Sequence, residues 1–522
     1  MTARLLWIDD EIDLLKAHIL FLEKKDYEVD TVTNGYDAID RCRETSYDLI
    51  LLDEHMPGIT GLETLQRIKE ITPTTPVVMV TKSEEENIMD QAIGSKIADY
   101  LIKPVNPTQI LLSLKKNIDR HRKEIVTEHA QNAYQQDFGK MSMLISDATS
   151  ITDWMDVYRR LVNWELQLSE TDSEMKDMLT MQKSEANASF ARFIKKNYLR
   201  WIDQPVGSEG RPVLSSDIFK TRIFPLLDQG QKVFLLVIDN FRYDQWRILM
   251  SEVADLFHID EDLYCSILPT ATQYARNAIF SGLMPKLIAE MFPDLWVDED
   301  SEEGKNLNEA PLIQTHFKRY RRQNTFSYNK VNDSAAAEHL VHGLQGLLKY
   351  DLNVCVINFI DMLSHARTES RMVRELASNE AAYRSITLSW LRHSPIGDLF
   401  RALAQQDCHV ILTTDHGSIR CNRPIGVKGD KNTNTNLRYK LGKNLDYNPR
   451  EVFDITDPRA AQLPAPNLST RYIFATGNDF FAYPNNYNYY VSYYRDTFQH
   501  GGISMEEMLI PLVELTPKQM HP

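Results

Sequence analysis

Three apolar runs past residue 230 stop at acids: Asp239 closes "VFLLVID", Asp361 closes "VCVINFID" and Asp415 closes "VILTTD". Imidazoles accompany them. His416 follows Asp415 directly, His365 lies four residues after Asp361, and His500 sits in the glycine loop "FQHGGIS". If these groups only served the core, each would need a buried partner of its own. A pair of divalent cations satisfies all six together. Mixed carboxylate and imidazole ligation favours Zn²⁺, with Mn²⁺ the main competitor. Two metals roughly 4 Å apart suit in-line displacement at phosphorus, one activating the nucleophile and the other holding the leaving oxygen. The nucleophile would be a hydroxyl near the first metal. "LPTATQYARNAIFSG" offers Thr270 and Thr272 where a helix opens and backbone N–H groups favour anions,. A threonine in that place is also an ordinary N-cap, so the spacing leaves both residues and both roles open.

The N-terminal segment carries a second constellation. Asp9 and Asp10 follow "LLWI", Asp53 follows "LILL", and Lys103 with Pro104 follows "DYLI". Three carboxylates converging on one sheet edge repel each other unless a hard cation sits among them, and an oxygen-only site of few ligands suits Mg²⁺. Asp53 on its loop could then attack a phosphoryl group, with Lys103 and the hydroxyl of Thr81 holding the new phosphate oxygens.

These residues need sheets to position them. Residues 1–120 alternate strand-like runs with helix-length amphipathic stretches, which predicts βαβ units, a doubly wound parallel sheet and ligands at the carboxyl ends of its strands. Residues 108–204 hold no proline and one glycine, Gly139, while "WMDVYRRLVNWELQL" and "FARFIKKNYLRWI" repeat at helical spacing,. A bundle of about three helices, a spacer over 121–205, is expected there. The α/β alternation then resumes over 206–522 with "QKVFLLVIDNFRYD", "NVCVINFIDMLSHAR", "CHVILTTDHGS" and "TRYIFATG".

Composition narrows the partners. A formal charge of −15 argues against wrapping duplex DNA, whose non-specific affinity comes from Lys and Arg neutralising phosphates. The five cysteines share no metal-type spacing and read as buried thiols. Nothing approaches the roughly 20 uncharged residues of a membrane span, and acids occupy the start of the chain where a signal peptide would be apolar. The protein is therefore expected in the cytoplasm. One stretch opposes the acidic trend. Ile419 to Arg450 holds Arg420, Arg423, Lys428, Lys431, Arg438, Lys440, Lys443 and Arg450 against Asp430 and Asp446, a loop suited to a phosphate-rich substrate, with Tyr439 and Tyr447 available to stack bases.

Two families share these motifs. "IDDE", "LILLDEHMPGITG", "VTKS" and "DYLIKPV" resemble the acidic pair, phosphoacceptor loop, switch threonine and lysine-proline turn of response-regulator receiver domains. That resemblance implies that Asp53 takes phosphate from a histidine kinase and that Asp9, Asp10 and the carbonyl of His55 hold Mg²⁺ with Asp53. It also implies that Thr81 and Tyr100 relay the change to a face around the last strand and helix, through which such domains commonly form a phosphorylation-promoted homodimer.

"IDNFRYD", "PTATQYARNAIFSG", "FIDMLSH", "TTDHGS" and "HGGISMEEMLIPL" resemble the PglZ branch of the alkaline phosphatase superfamily. By that resemblance Asp239, Thr272, Asp415 and His416 ligate one zinc, and Asp361, His365 and His500 the other. Thr272 is preferred over Thr270 because related phosphodiesterases place their nucleophile ten residues before a Thr-Gly or Ser-Gly pair, and Ser281-Gly282 stands there. Those enzymes carry an asparagine three residues after the nucleophile as a phosphoryl-oxygen contact. Here that residue is Ala275, leaving Asn277 or Arg276 to substitute.

A receiver, a helical segment and a PglZ domain in this order resemble the PorX-type response regulators of Bacteroidetes. The resemblance implies control of type IX secretion, contact with a sigma factor or secretion component, and a two-zinc phosphodiesterase output acting on oligonucleotides, including cyclic ones. The alternative is a zinc-containing binding platform with little catalysis.

Overall fold

The computed structural model describes residues 2–82, 97–169, 174–298, 306–429, 433–484 and 487–518. Its contacts divide the chain into two compact units, Met1–Tyr134 and Gln135–Pro522.

In the first unit five parallel strands stand in the order β2-β1-β3-β4-β5: β1 (Ala3–Ile8), β2 (Tyr27–Val32), β3 (Leu49–Leu52), β4 (Val77–Thr81) and β5 (Asp99–Ile102). β3 and β4 are buried throughout, as continuous Leu, Ile and Val runs demand when helices cover both faces. Helices Gly35–Glu44 and Gly61–Ile71 pack one face through Ile39, Leu65 and Ile68. The other face is covered by Leu22 with Ile110, Leu114 and Ile118 of the helix Pro107–Asp147. The order reverses direction between β1 and β3, and there the crevice opens at the strands' carboxyl ends. Asp9 and Asp53 sit in it. The expected boundary at residue 120 lies within the helix Pro107–Asp147, and the contact boundary falls after Tyr134.

The second unit is built on six strands in the order β7, C-terminal strand, β10, β6, β9, β8. These are β6 (Val233–Ile238), β7 (Phe257–Cys265), β8 (Phe326–Val331), β9 (Leu352–Ile357), β10 (His409–Thr413) and the C-terminal strand Leu509–Pro517. β10, β6, β9 and β8 are parallel. The C-terminal strand runs antiparallel to both β10 and β7, an addition that alternation of strands and helices does not signal. "TRYIFATG" lies outside the main sheet: Arg471–Phe474 is the middle strand of a small antiparallel sheet with Tyr439–Gly442 and Phe453–Ile455.

Helices Ile151–Gln167 and Glu174–Asp203 belong to this unit. Their apolar stripe buries Trp154, Leu161, Phe190, Ile194 and Trp201. Their polar side chains enter the fold as well. Asn187 donates to Glu506 Oε2 at 2.9 Å and accepts from Met505 N at 2.8 Å, while Lys183 pairs with Glu165 and Glu506. Arg384 bridges Glu165 and Asp244, and Arg242 joins Asp244 to Glu380. The expected spacer is thus an ionic seam of the C-terminal unit. The carboxylates Glu165, Asp244 and Glu380 converge there with Lys183, Arg242 and Arg384 among them, so their charges are balanced by the protein itself.

Candidate active site

β10, β6 and β9 are neighbours, and at their carboxyl ends the chain delivers three acids side by side. Asp239 follows β6 and Asp415 follows β10. Asp361 stands four residues past the end of β9, in the first turn of the helix Phe359–Glu369, with His365 one turn further along. His500 reaches the group because Phe498–Gln499 pairs with Ile419–Arg420, just beyond His416. The His416 and His500 rings stack with centroids 4.1 Å apart. Gly417 has no room for a side chain: a Cβ would stand 2.0 Å from the carbonyl oxygen of Glu506. That close approach holds the Asp415-His416 turn against the segment that follows His500.

Donor atoms of Asp239, Asp415 and His416 lie within 4.8 Å of one another, and so do those of Asp361, His365 and His500. The imidazoles are oriented for ligation. His500 Nδ1 donates to the carbonyl of Thr270 at 3.1 Å and His416 Nδ1 to that of Gly417 at 3.1 Å, leaving each Nε2 bare toward the acids. Burial and the neighbouring His416 push His500 down to about 3, so it stands neutral. Burial raises Asp239 well above the usual carboxylate range against the pull of Arg276. Burial works the same way on Asp415, but there Arg276 and His416 prevail and the pKa falls. Acids held in opposite directions within one buried group, beside the neutral His500 imidazole, form a donor set that fits divalent cations,.

The two threonines separate clearly. Thr270 Oγ1 donates to Gly502 O at 2.8 Å and accepts from Gly501 N at 3.0 Å, which ties it to the His500 loop. Thr272 is the first residue of the helix Thr272–Ser281; Ala271 takes the N-cap place, with no side-chain cap bond. Its hydroxyl is therefore unspent on capping and lies 3.1 Å from His416 Nε2 and 3.5 Å from Asp239 Oδ1. Ala275, one turn on, is fully buried.

The residues expected to touch substrate fare differently. Arg276 is 1 % exposed and spends its guanidinium on Asp239, on Asp415 at 2.9 Å and on Glu309 at 3.3 Å. It braces the acids and does not reach outward. Asn277 is buried and lies five residues past Thr272, about 140° round the helix from it, so it faces away. Arg420 pairs with Asp496, and Lys428, exposed, stands near Asp446. Lys431 lies outside the described residues. The basic stretch as a whole is largely structural. Arg438 is fully buried against Glu507, Lys440 donates to Asn434 O, and Arg423 pairs with Asp479. Tyr439 is buried against Tyr274, which removes it from base stacking, and Tyr447 bonds Asp454.

Sequence reasoning missed two contributors. Asn240 donates to Asp361 Oδ1 at 3.3 Å and has φ 60°; its place directly after Asp239 was the available signal. Glu309, the fully buried third partner of Arg276, also accepts from Tyr328 and Lys330. It sits in a polar stretch with no motif, and nothing in the sequence marks it.

In the N-terminal crevice Lys103 Nζ donates to Asp9 at 2.6 Å and to Asp53 at 2.7 Å. Burial works against its charge, yet these hydrogen bonds outweigh it and raise the lysine's pKa. Asp9 and Asp53 are buried while Asp10 is exposed, and donor atoms of all three lie within 4.8 Å, an oxygen-only set that fits a hard cation. His55 N approaches Asp53 at 3.4 Å and His55 Nδ1 approaches Thr81 Oγ1 at 3.4 Å. Tyr100 packs half-buried against the sheet core. A cavity of about 400 Å³ opens beside Asp9 and Lys103, with Leu14, His18 and Val105 in its walls.

A mixed sheet whose parallel strands carry paired donor clusters at their ends, with a hydroxyl at a helix start, defines an alkaline-phosphatase-like hydrolase fold, joined to a receiver. The chain belongs to the PglZ family: the BREX system PglZ alkaline phosphatase-like domain matches residues 218–515. The PorX response regulator linker domain matches residues 124–202 and the response regulator receiver domain residues 5–115, so the order is that of the PorX-type architecture. Among curated proteins, the transcriptional regulatory protein ResD of Bacillus subtilis is 36% identical over 113 residues, 22% of this chain and 47% of that one. The transcriptional regulatory protein CpxR homolog of Haemophilus influenzae is 35% identical over 115 residues, 22% of this chain and 49% of that one. The chain thus spans about half the length of these curated relatives. A CheY-like receiver structure from Methanospirillum hungatei covers 24% of this chain and 99% of its own at 26% identity, with a TM-score of 0.23.

Proposed function

We propose that this chain is a receiver-controlled, two-zinc phosphodiesterase acting on oligonucleotides, cyclic ones included. The observation that carries it is the Thr272 hydroxyl, free of capping duty and held 3.1 Å from His416 Nε2 beside the two donor clusters. Asp239, Asp415 and His416 would hold one zinc and Asp361, His365 and His500 the other; when bound, the metals supply Lewis acidity toward phosphoryl oxygens. The Thr272 hydroxyl, beside Asp239 and His416, would join the ligands of their zinc and give up its proton there. Thr272 Oγ forms a bond to phosphorus as the ester oxygen leaves and takes up a proton, and water then hydrolyses the phosphothreonine. Arg276 holds Asp239 and Asp415 in register.

The test is hydrolysis of bis(p-nitrophenyl) phosphate and of p-nitrophenyl phosphate by the zinc-loaded protein. The diester is turned over and the monoester scarcely. Chelation abolishes turnover and zinc restores it. A protein that binds zinc stoichiometrically yet cleaves neither ester would favour the second reading, a binding platform for a sigma factor or secretion component. Ala275 favours that reading, since it leaves the expected phosphoryl-oxygen contact unfilled.

On the receiver side, Asp53 takes phosphate from a histidine kinase with Mg²⁺ at Asp9, Asp10, Asp53 and the His55 carbonyl. Lys103 balances the new charge, and Thr81 and Tyr100 carry the change to the face around β5. There Ile102 and Leu112 stand exposed, which supports a phosphorylation-promoted homodimer. The PorX-type linker supports a role in type IX secretion, in the cytoplasm. Treatment with acetyl phosphate and Mg²⁺ should add one phosphoryl group, detected by mass spectrometry and absent in Asp53→Asn; persistence of the label would place the acceptor elsewhere.

A further inference from the structure

The helix Tyr487–Tyr494 reads YNYYVSYY. Tyr487, Val491 and Tyr494, spaced i, i+4, i+7, pack onto Ile419, Cys421, Phe480 and Ala482. That anchoring turns Tyr489 and Tyr493 away from the packed face, and Tyr489 is 65% exposed. The Tyr489 and Tyr493 rings are nearly parallel at 16°, with centroids 6.1 Å apart. Tyr493 also packs edge-on against Tyr494, while the Tyr489 ring stays largely in water,.

Its position suggests what it receives. Thr497 caps the helix end through Tyr494 O at 2.6 Å, and the chain runs on through Phe498 to His500 in three residues. From the other side, Arg374 lies 5.4 Å from the Tyr493 ring centroid and donates to Thr368 O at 2.6 Å, one helical turn from His365. The tyrosine helix thus runs on into the strand Phe498–Gln499 that leads to His500, and the Arg374 that meets it belongs to the helix following the one that carries His365. His365 and Met362, on the helix Phe359–Glu369, are both exposed. Arg371 and Arg374 bring positive charge to the same rim, against Glu375 and Asp496.

We infer that Tyr489, Tyr493 and Arg374 form a stacking platform for a nucleobase of the substrate, one nucleotide from the phosphorus attacked by Thr272. A flat π-face beside a guanidinium selects planar rings without reading base identity, and the arginines suit the flanking phosphate. This assignment rests on the phosphodiesterase reading and adds the specificity determinant to it.

The deciding comparison uses thymidine 5′-(p-nitrophenyl phosphate) against methyl p-nitrophenyl phosphate, which share the leaving group and differ in a nucleoside against a methyl group. With zinc-loaded Tyr489→Ala/Tyr493→Ala, KM for the thymidine ester should rise on the order of tenfold, while kcat/KM for the methyl ester stays at the wild-type value. Calorimetric titration with thymidine 5′-monophosphate should weaken to the same degree. Tyr489→Phe/Tyr493→Phe keeps the rings and should behave as wild type. Unchanged handling of both esters overturns the platform and assigns the tyrosines to another partner, such as a protein. Equal loss on both esters overturns it in favour of a scaffold role. A wild-type protein inert toward both esters instead removes the phosphodiesterase reading itself.

Discussion

Thr272→Ala should lose diester hydrolysis by roughly three to six orders of magnitude, the scale on which removal of a nucleophile is felt, while zinc content and Tm stay close to wild type. The change deletes the oxygen 3.1 Å from His416 Nε2 and little else. Thr272 caps nothing, and alanine is the better helix former. Thr270→Ala should behave in the opposite sense. Its hydroxyl fixes Gly501 and Gly502, so its loss should lower Tm and leave measurable turnover. Steady-state kinetics and thermal melts on the two variants check this directly. Thr272→Ala activity within tenfold of wild type would sink the assignment.

The second large effect belongs to Arg276→Met. In the metal-free protein this variant leaves Asp239, Asp415 and Glu309, all buried, without their shared cation. Breaking a buried ion pair by removing one partner costs about 3–5 kcal/mol, and urea unfolding after chelation should show a loss of that order. Had Arg276 been a substrate contact, the variant would unfold like wild type and only KM would rise. The two measurements cannot both come out the same way for the two roles.

Strand-end chemistry was legible from the chain because buried parallel strands read as unbroken apolar runs, so an acid closing one is conspicuous. Asp9, Asp53, Asp239 and Asp415 all emerged from that pattern. What stayed hidden depends on partners distant in sequence. Arg438 looks like a loop cation until Glu507, 69 residues on, is found against it. Asn187 looks like a polar face of a spacer helix, yet its partners lie 318 and 319 residues away. Charge in a sequence carries no address, and only the fold distinguishes a solvated lysine from one spent on a buried carboxylate. Arg276 stands where its place in the motif puts it, beside the acids, but its direction is set by them. One turn past Thr272 on the same helix face, it is drawn inward by three carboxylates and stays buried.

The bonds from Asn187 and Lys183 to Glu506 also bear on how such a protein can be recombined. Glu506 lies in the segment that carries His500 toward the C-terminal strand. A hydrolase grafted elsewhere without helices Ile151–Gln167 and Glu174–Asp203 would lose the packing of Trp154 and Trp201 and leave Glu506 without Asn187 and Lys183 and Arg384 without Glu165. The piece that can travel as a unit therefore starts near residue 135, and a new input attached upstream inherits those helices along with the catalytic sheet.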